Sequence, residues 1–165
     1  MRNDVSPEDL TDVSLFADLR LEQQQMLAAL LARRSWPAGH AVFHAGEPAE
    51  AVFVVEDGEV AIRYHPDDGD WLTVATVGRG EVFGWSAVLG RSRYTSSAVC
   101  QTGVRALAIR GAELRAALRA DPDLGGLLGR MAVTVAGRVP EARAQVAQLI
   151  RDEVRRTSDR NGFHD

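Results

Sequence analysis

Several residues of this 165-residue chain have side chains of the kind that do chemistry, and their spacing decides what they can be. His40, His44 and Glu47 could ligate a metal. A roll-type metal site, however, needs imidazoles two apart on one strand face with another downstream. These two stand four apart across a turn, and the remaining histidines are His65 and His164. They read as exposed turn residues. Ser86 and Ser92 lie beside glycines, yet neither nucleophile-elbow spacing nor a paired histidine supports acyl transfer. Gly78-Arg79-Gly80-Glu81-Val82-Phe83-Gly84 approximates a dinucleotide fingerprint, but its spacing is off by one residue and no strand–turn–helix unit surrounds it. Cys100 falls in mid-strand and reads as a small buried hydrophobe. What is left is the glycine-flanked run Gly80 to Leu89, followed by Arg93-Tyr94-Thr95-Ser96-Ser97.

The elements that must position that run follow from periodicity. Ser6-Pro7-Glu8-Asp9 reads as a helix start, with a capping oxygen and a proline at the first helical position. A longer helical pattern covers about 20 to 33, its apolar stripe made by Leu19, Met26, Leu27, Leu30 and Leu31. Trp36-Pro37-Ala38-Gly39 ends it. From about 40 to 110 short β-rich runs alternate with turn residues, at 41–43, 51–56, 59–64, 71–77, 94–101 and 104–110. Asp57-Gly58 reads as a two-residue hairpin turn, and Pro66-Asp67-Asp68-Gly69 as another reversal. Strands this short and this often interrupted predict an antiparallel barrel or jelly roll, with one helical turn at 85–90. Helical spacing returns after Gly111: a short helix over Ala112 to Arg119, then a start at Asp121-Pro122 with Leu124, Leu127, Leu128, Met131 and Val135 on one face. Pro140 kinks or restarts it, and Val146, Leu149, Ile150 and Val154 continue the stripe.

Bulk properties narrow the partners. The chain is long enough for one domain with a real core, and 45% apolar with 25% charged residues is ordinary globular composition. Net charge is −4, which argues against a DNA-binding face. All 19 basic residues are arginine, a pattern that reads as codon bias. One cysteine rules out an internal disulfide and fits a reducing compartment. The N-terminus lacks an apolar signal core, and no run approaches the ~18 apolar residues of a membrane span. The expectation is a cytoplasmic protein.

Phe43-His44-Ala45-Gly46-Glu47-Pro48-Ala49-Glu50-Ala51-Val52-Phe53-Val54-Val55-Glu56-Asp57-Gly58-Glu59-Val60, together with Gly80-Glu81-Val82-Phe83-Gly84 and the run after it, resembles the cyclic nucleotide-binding domain family. The resemblance covers about residues 14 to 120 and is similar to the sensor half of catabolite-activator-type regulators. It implies a stand-alone, mainly β domain: an antiparallel β-roll of eight strands over about 36–110, N-terminal helices, C-terminal helices over about 111–158 and a polar tail at 159–165. It also implies a phosphate-binding cassette at Phe83, Gly84, Trp85, Ser86, Ala87, Arg93, Tyr94, Thr95 and Ser96. In the family the amides of a short helix and an arginine hold the cyclic phosphate, and a glutamate after the Phe-Gly pair accepts from the ribose hydroxyl. Here the glutamate position reads Trp85 and the arginine position reads Tyr94.

Three readings of those two replacements stand. Arg93 could serve from one place upstream, provided 91–93 is loop, since one residue along a strand changes faces. The pocket could take a different ligand, with Trp85 or Tyr94 stacking on a ring. Or Trp85 could fold inward with Phe83, Val88 and Leu89 and fill the pocket. Tight cyclic AMP binding is disfavoured, because losing the charged partner of a buried phosphate costs ~2–5 kcal/mol and tryptophan accepts no hydrogen bond. The expectation is a non-catalytic sensor, without cofactor or metal, that takes a cyclic nucleotide such as cAMP or a related anion weakly or atypically and relays it through the C-terminal helices. The alternative is a degenerate domain, blocked by Trp85, serving dimerisation or protein interaction. A homodimer through the C-terminal helices and an unidentified protein partner are expected; DNA and membrane are not.

Overall fold

Ala51-Val52-Phe53-Val54-Val55 is apolar without a break because its strand separates two cores. Phe53 and Val55 face one cluster, which also holds Phe43, Val60, Ile62, Val77, Phe83, Tyr94 and Ala98. Val52 and Val54 face the other, with Leu10, Leu27, Leu107, Ile109, Leu114, Leu127 and Met131. Side chains two apart on a strand share a face, so both faces of this strand are buried. The computed structural model describes residues 5–65 and 69–136.

Eight strands lie among the described residues: β1 (Ala32–Trp36), β2 (Ala41–Phe43), β3 (Ala51–Asp57), β4 (Val60–Tyr64), β5 (Leu72–Val77), β6 (Val82–Phe83), β7 (Ser97–Cys100) and β8 (Val104–Arg110). They form two four-stranded sheets, ordered β1-β8-β3-β6 and β2-β7-β4-β5, and every pairing is antiparallel. This is the predicted β-roll, and the first cluster is its interior. The second cluster lies between the β1-β8-β3-β6 sheet and four helices, α1 (Pro7–Thr11), α2 (Leu21–Leu30), α3 (Gly111–Ala120) and α4 (Gly125–Ala136). Ser6 starts α1 as expected, but the side-chain bonds shown run from Ser6 to Asp9: its amide and its hydroxyl donate to the Asp9 carboxylate at 2.9 and 3.2 Å.

Some local expectations need correction. Asp57-Gly58 joins no hairpin, because β3 and β4 belong to different sheets. The turn is a corner between them. There Gly58 has φ +101°, and an added Cβ would stand 2.3 Å from the Gly103 carbonyl oxygen. The second helix stops at Leu30, and Ala32 to Trp36 instead pair with Ala108 to Val104 of β8, so the roll begins before 36. The strand expected over 94–101 starts at Ser97. The predicted kink at Pro140, the apolar stripe from Val146 to Val154, the dimer seam it suggested and the polar tail lie outside the described residues.

Charge ties the helices to the roll. The Arg33 guanidinium on β1 donates to both oxygens of Glu56 on β3, at 2.8 and 3.1 Å, and reaches Asp9 of α1 at 3.2 Å. The Ser6 amide and Arg33 hold the Asp9 carboxyl below its ordinary pKa, against some desolvation. Among the described residues no helix is long and apolar enough to cross a membrane.

Candidate ligand site

Gly84 decides where its neighbours point. Phe83 ends β6 and faces the roll interior, its ring 4.8 Å from that of Phe53. In an extended chain residue 85 would share that face. Gly84 instead takes the left-handed conformation, φ +81° and ψ +29°, and turns Trp85 to the opposite side. Trp85 is 8% exposed and packs in the helix-side cluster with Val82, Val88, Leu114, Leu127 and Met131. Among the described residues its buried indole N–H has no hydrogen-bond partner. Gly84 serves packing as well as backbone geometry: a Cβ there would lie 2.9 Å from the Ala51 carbonyl oxygen and 3.1 Å from the Phe53 ring.

Trp85 to Ala87 form one short 3-10 turn. Ser86 and Ala87 are both buried. The Ala87 amide bonds the Gly84 carbonyl at 3.2 Å. The far end of the turn is fixed to α3 in two ways. Arg115 Nη1 donates to the Ala87 carbonyl at 2.5 Å, and Gly111 lies so close that an added Cβ would be 2.2 Å from the same oxygen. Gly111→Ala should therefore cost about 1–3 kcal/mol by overpacking. Gly129, where an added Cβ would meet nothing within 4 Å among the described residues, supplies the control, since Gly129→Ala should stabilise its helix by about 0.5–1 kcal/mol. Urea unfolding of both variants checks the contrast.

Tyr94 fills the place where the resemblance puts a phosphate partner. It is 7% exposed and belongs to the roll-interior cluster. Its ring lies on Phe43 of β2, centroids 3.6 Å apart and planes 10° apart. The phenol donates to the Ala51 carbonyl at 2.6 Å and accepts from the Ala51 amide at 3.2 Å. Burial pushes the phenol above its ordinary pKa, partly offset by the bond to Ala51, so it remains a neutral donor at physiological pH.

Arg93 is exposed, and its Nη1 donates to the Gly46 carbonyl at 2.6 Å. Residue 93 is loop, bridged only to Pro48. The backbone condition set for Arg93 is thus met, but the guanidinium is engaged on the outer loop while Tyr94 occupies the interior. Thr95 is exposed and Ser96 half-buried. Ser97, buried, accepts from the Ala45 amide at 2.9 Å. The structure therefore brings Phe83, Gly84 and Tyr94 together around β3, sends Trp85 to the other core and leaves Arg93 and Thr95 outside. Phe43, Ala51, Gly111 and Arg115 belong to the arrangement although sequence reasoning passed over their roles. The turn signal at Gly111 was visible; the partner across the fold was not. Among the described residues no three His, Cys, Asp or Glu side chains converge on a common point.

The architecture is a two-sheet antiparallel roll with a short 3-10 turn between β6 and β7, backed by α3 and α4. The sequence matches the cyclic nucleotide-binding domain family over residues 33–121, more than half of the chain, and the protein belongs to that family. A crystal structure of a Geobacter metallireducens protein named for cyclic nucleotide binding superposes with a TM-score of 0.71 at 32% identity, covering 81% of this chain and 98% of that one. The cyclic AMP receptor protein of Thermus thermophilus is 28% identical over 141 residues, 86% of this chain and 64% of its own length. A CRP-like cAMP-activated global transcriptional regulator of Mycobacterium tuberculosis is 29% identical over 119 residues, 72% of this chain and 52% of its own. The chain thus spans about half to two thirds of the length of these curated relatives.

Proposed function

We propose that this chain is a non-catalytic regulatory domain that takes a cyclic nucleotide only weakly and in an altered mode, because Tyr94 holds the cradle. The observation that carries the reading is the pair of hydrogen bonds from one phenol to both backbone groups of Ala51. Each bond is worth about 0.5–1.5 kcal/mol net, and an aromatic pair such as Tyr94–Phe43 about as much again. An entering phosphate must displace all three. A cost of ~2–4 kcal/mol lowers apparent affinity about 30- to 1,000-fold. No carboxylate at 85 or guanidinium at 94 offsets that cost.

The cassette remains wired to the rest of the domain. Its last carbonyl, Ala87, touches α3 through Arg115 and Gly111, so any movement of the 3-10 turn must shift α3. That gives a route from the cradle to the C-terminal helices. Titration calorimetry with cAMP and cGMP is the test. Dissociation constants near millimolar are expected; micromolar binding by the unaltered chain sinks the proposal. Flat heats throughout would favour a second reading on the same observation, in which Tyr94 closes the cradle for good and the domain works by binding a protein.

A further inference from the structure

α4 has a buried face and an open one. Leu127 and Met131 are buried in the helix-side core. Gly126, Gly129 and Val133 instead line a groove of about 550 Å³, together with Ser14 and Leu15. Val133 is 72% exposed, the most of any large apolar side chain among the described residues. Just ahead of α4 the charge is negative. There Arg20 lies among Glu22, Asp121 and Asp123, one cation to three carboxylates.

We infer that residues 141–157 of this chain fold back antiparallel along α4 and fill that groove. The chain continues from Gly137 to Asp165, and its first residues past α4 favour a reversal. Gly137 stands where helices commonly end on a left-handed residue, and Pro140 where the next one starts. In a single continuous helix that proline would clash with the carbonyl of Ala136, whereas four residues are an ordinary connection between antiparallel helices. Ala142, Val146, Leu149, Ile150 and Val154 recur at helical spacing. With Glu141 level with Ala136 and equal rise on both helices, Leu149 and Ile150 come level with residues 126–129, and Val146 falls within a turn of Val133. The groove has room for both larger side chains, and for a methyl at Gly129 besides. Residues 153–157 outrun α4, so Arg155-Arg156 comes level with residues 121–123, two cations beside two unbalanced carboxylates. A segment tethered this closely is present at about millimolar effective concentration, which favours it over the same segment of a second copy.

Val133→Cys and Val146→Cys together in one full-length chain test the fold-back. Packed helix axes lie about 8–10 Å apart, which brings facing Cα atoms within reach of a disulfide. Oxidation should therefore close a bond within the chain, which still migrates as a monomer, and the yield should hold over about a hundredfold dilution. In one continuous helix the two positions stand about 20 Å apart, and no bond forms. Disulfides between chains, or none, overturn the inference; Cys100 is buried and stays out. Val133→Asp reads the same contact without new thiols. Its melting temperature should fall by about 5 °C or more, equally at every protein concentration. No fall leaves Val133 in water, and a fall that varies with concentration assigns the groove to a second copy; either result overturns the inference.

Discussion

Tyr94→Arg should raise affinity for cAMP about 30- to 1,000-fold, bringing a near-millimolar site toward micromolar. The change removes the side chain that occupies the cradle and supplies the charge that a phosphate needs, and such a charged pair is worth ~2–5 kcal/mol when desolvated. The unliganded domain should suffer. A phenol bonded to both groups of Ala51 and laid on Phe43 is exchanged for a guanidinium with no partner, and an unpaired buried charge is strongly destabilising. Ligand should then repair what the substitution broke, since binding only the folded state stabilises it by mass action. The melting temperature of Tyr94→Arg should fall without nucleotide and climb with added cAMP, while that of the unaltered chain barely responds. Tyr94→Ala, which opens the space without charge, should recover only the displacement part of the gain. If Tyr94→Arg binds no better than the parent, Tyr94 is not what limits the site.

How much of this could be read from residues alone depends on how far apart the interacting parts are. Gly84, the short turn at 85–90 and the capped start at Ser6 were legible because glycine, proline and capping side chains act within four positions of themselves. The roll was legible because strand length and turn spacing are local too. Asp57-Gly58 misled for the same reason: its turn chemistry is genuine, but nothing local says that the next strand joins the other sheet. Ala32 to Trp36 lacks clean alternation and follows a leucine stripe, so it read as the end of a helix. Only β8, about seventy residues on, makes it a strand.

The candidate site shows the same limit more sharply. The positions of Trp85 and Tyr94 were identified, and the absence of the expected carboxylate and guanidinium was plain. Their roles were not. Trp85 does fold inward with Val88, as one reading had it, with Leu89 packed alongside, but Phe83 lies in the other core. The side chain that fills the roll is Tyr94, and its partners are Phe43 and the backbone of Ala51, more than forty residues away in the sequence. No spacing rule connects a phenol to a carbonyl across that distance.

Trp85→Ala separates packing from occlusion, and it should cost about 3–5 kcal/mol, the usual loss for a buried aromatic cut to alanine. Trp85 is 8% exposed and belongs to the buried cluster that holds Val82, Val88, Leu114, Leu127 and Met131, so little can collapse into the space. In a domain of this size that amounts to a fall in melting temperature of about 10 °C. Trp85→Phe should be far milder. It keeps an aromatic ring and deletes an indole N–H that has no acceptor among the described residues, and leaving such a donor buried costs ~1–3 kcal/mol; the smaller ring and the relieved donor should offset to within about 1 kcal/mol. Neither substitution should improve cAMP binding as Tyr94→Arg does, because Gly84 turns residue 85 away from the roll interior. A gain in affinity with Trp85→Ala, matched against its own loss of stability, would place the obstruction at 85 and return Tyr94 to an ordinary core residue.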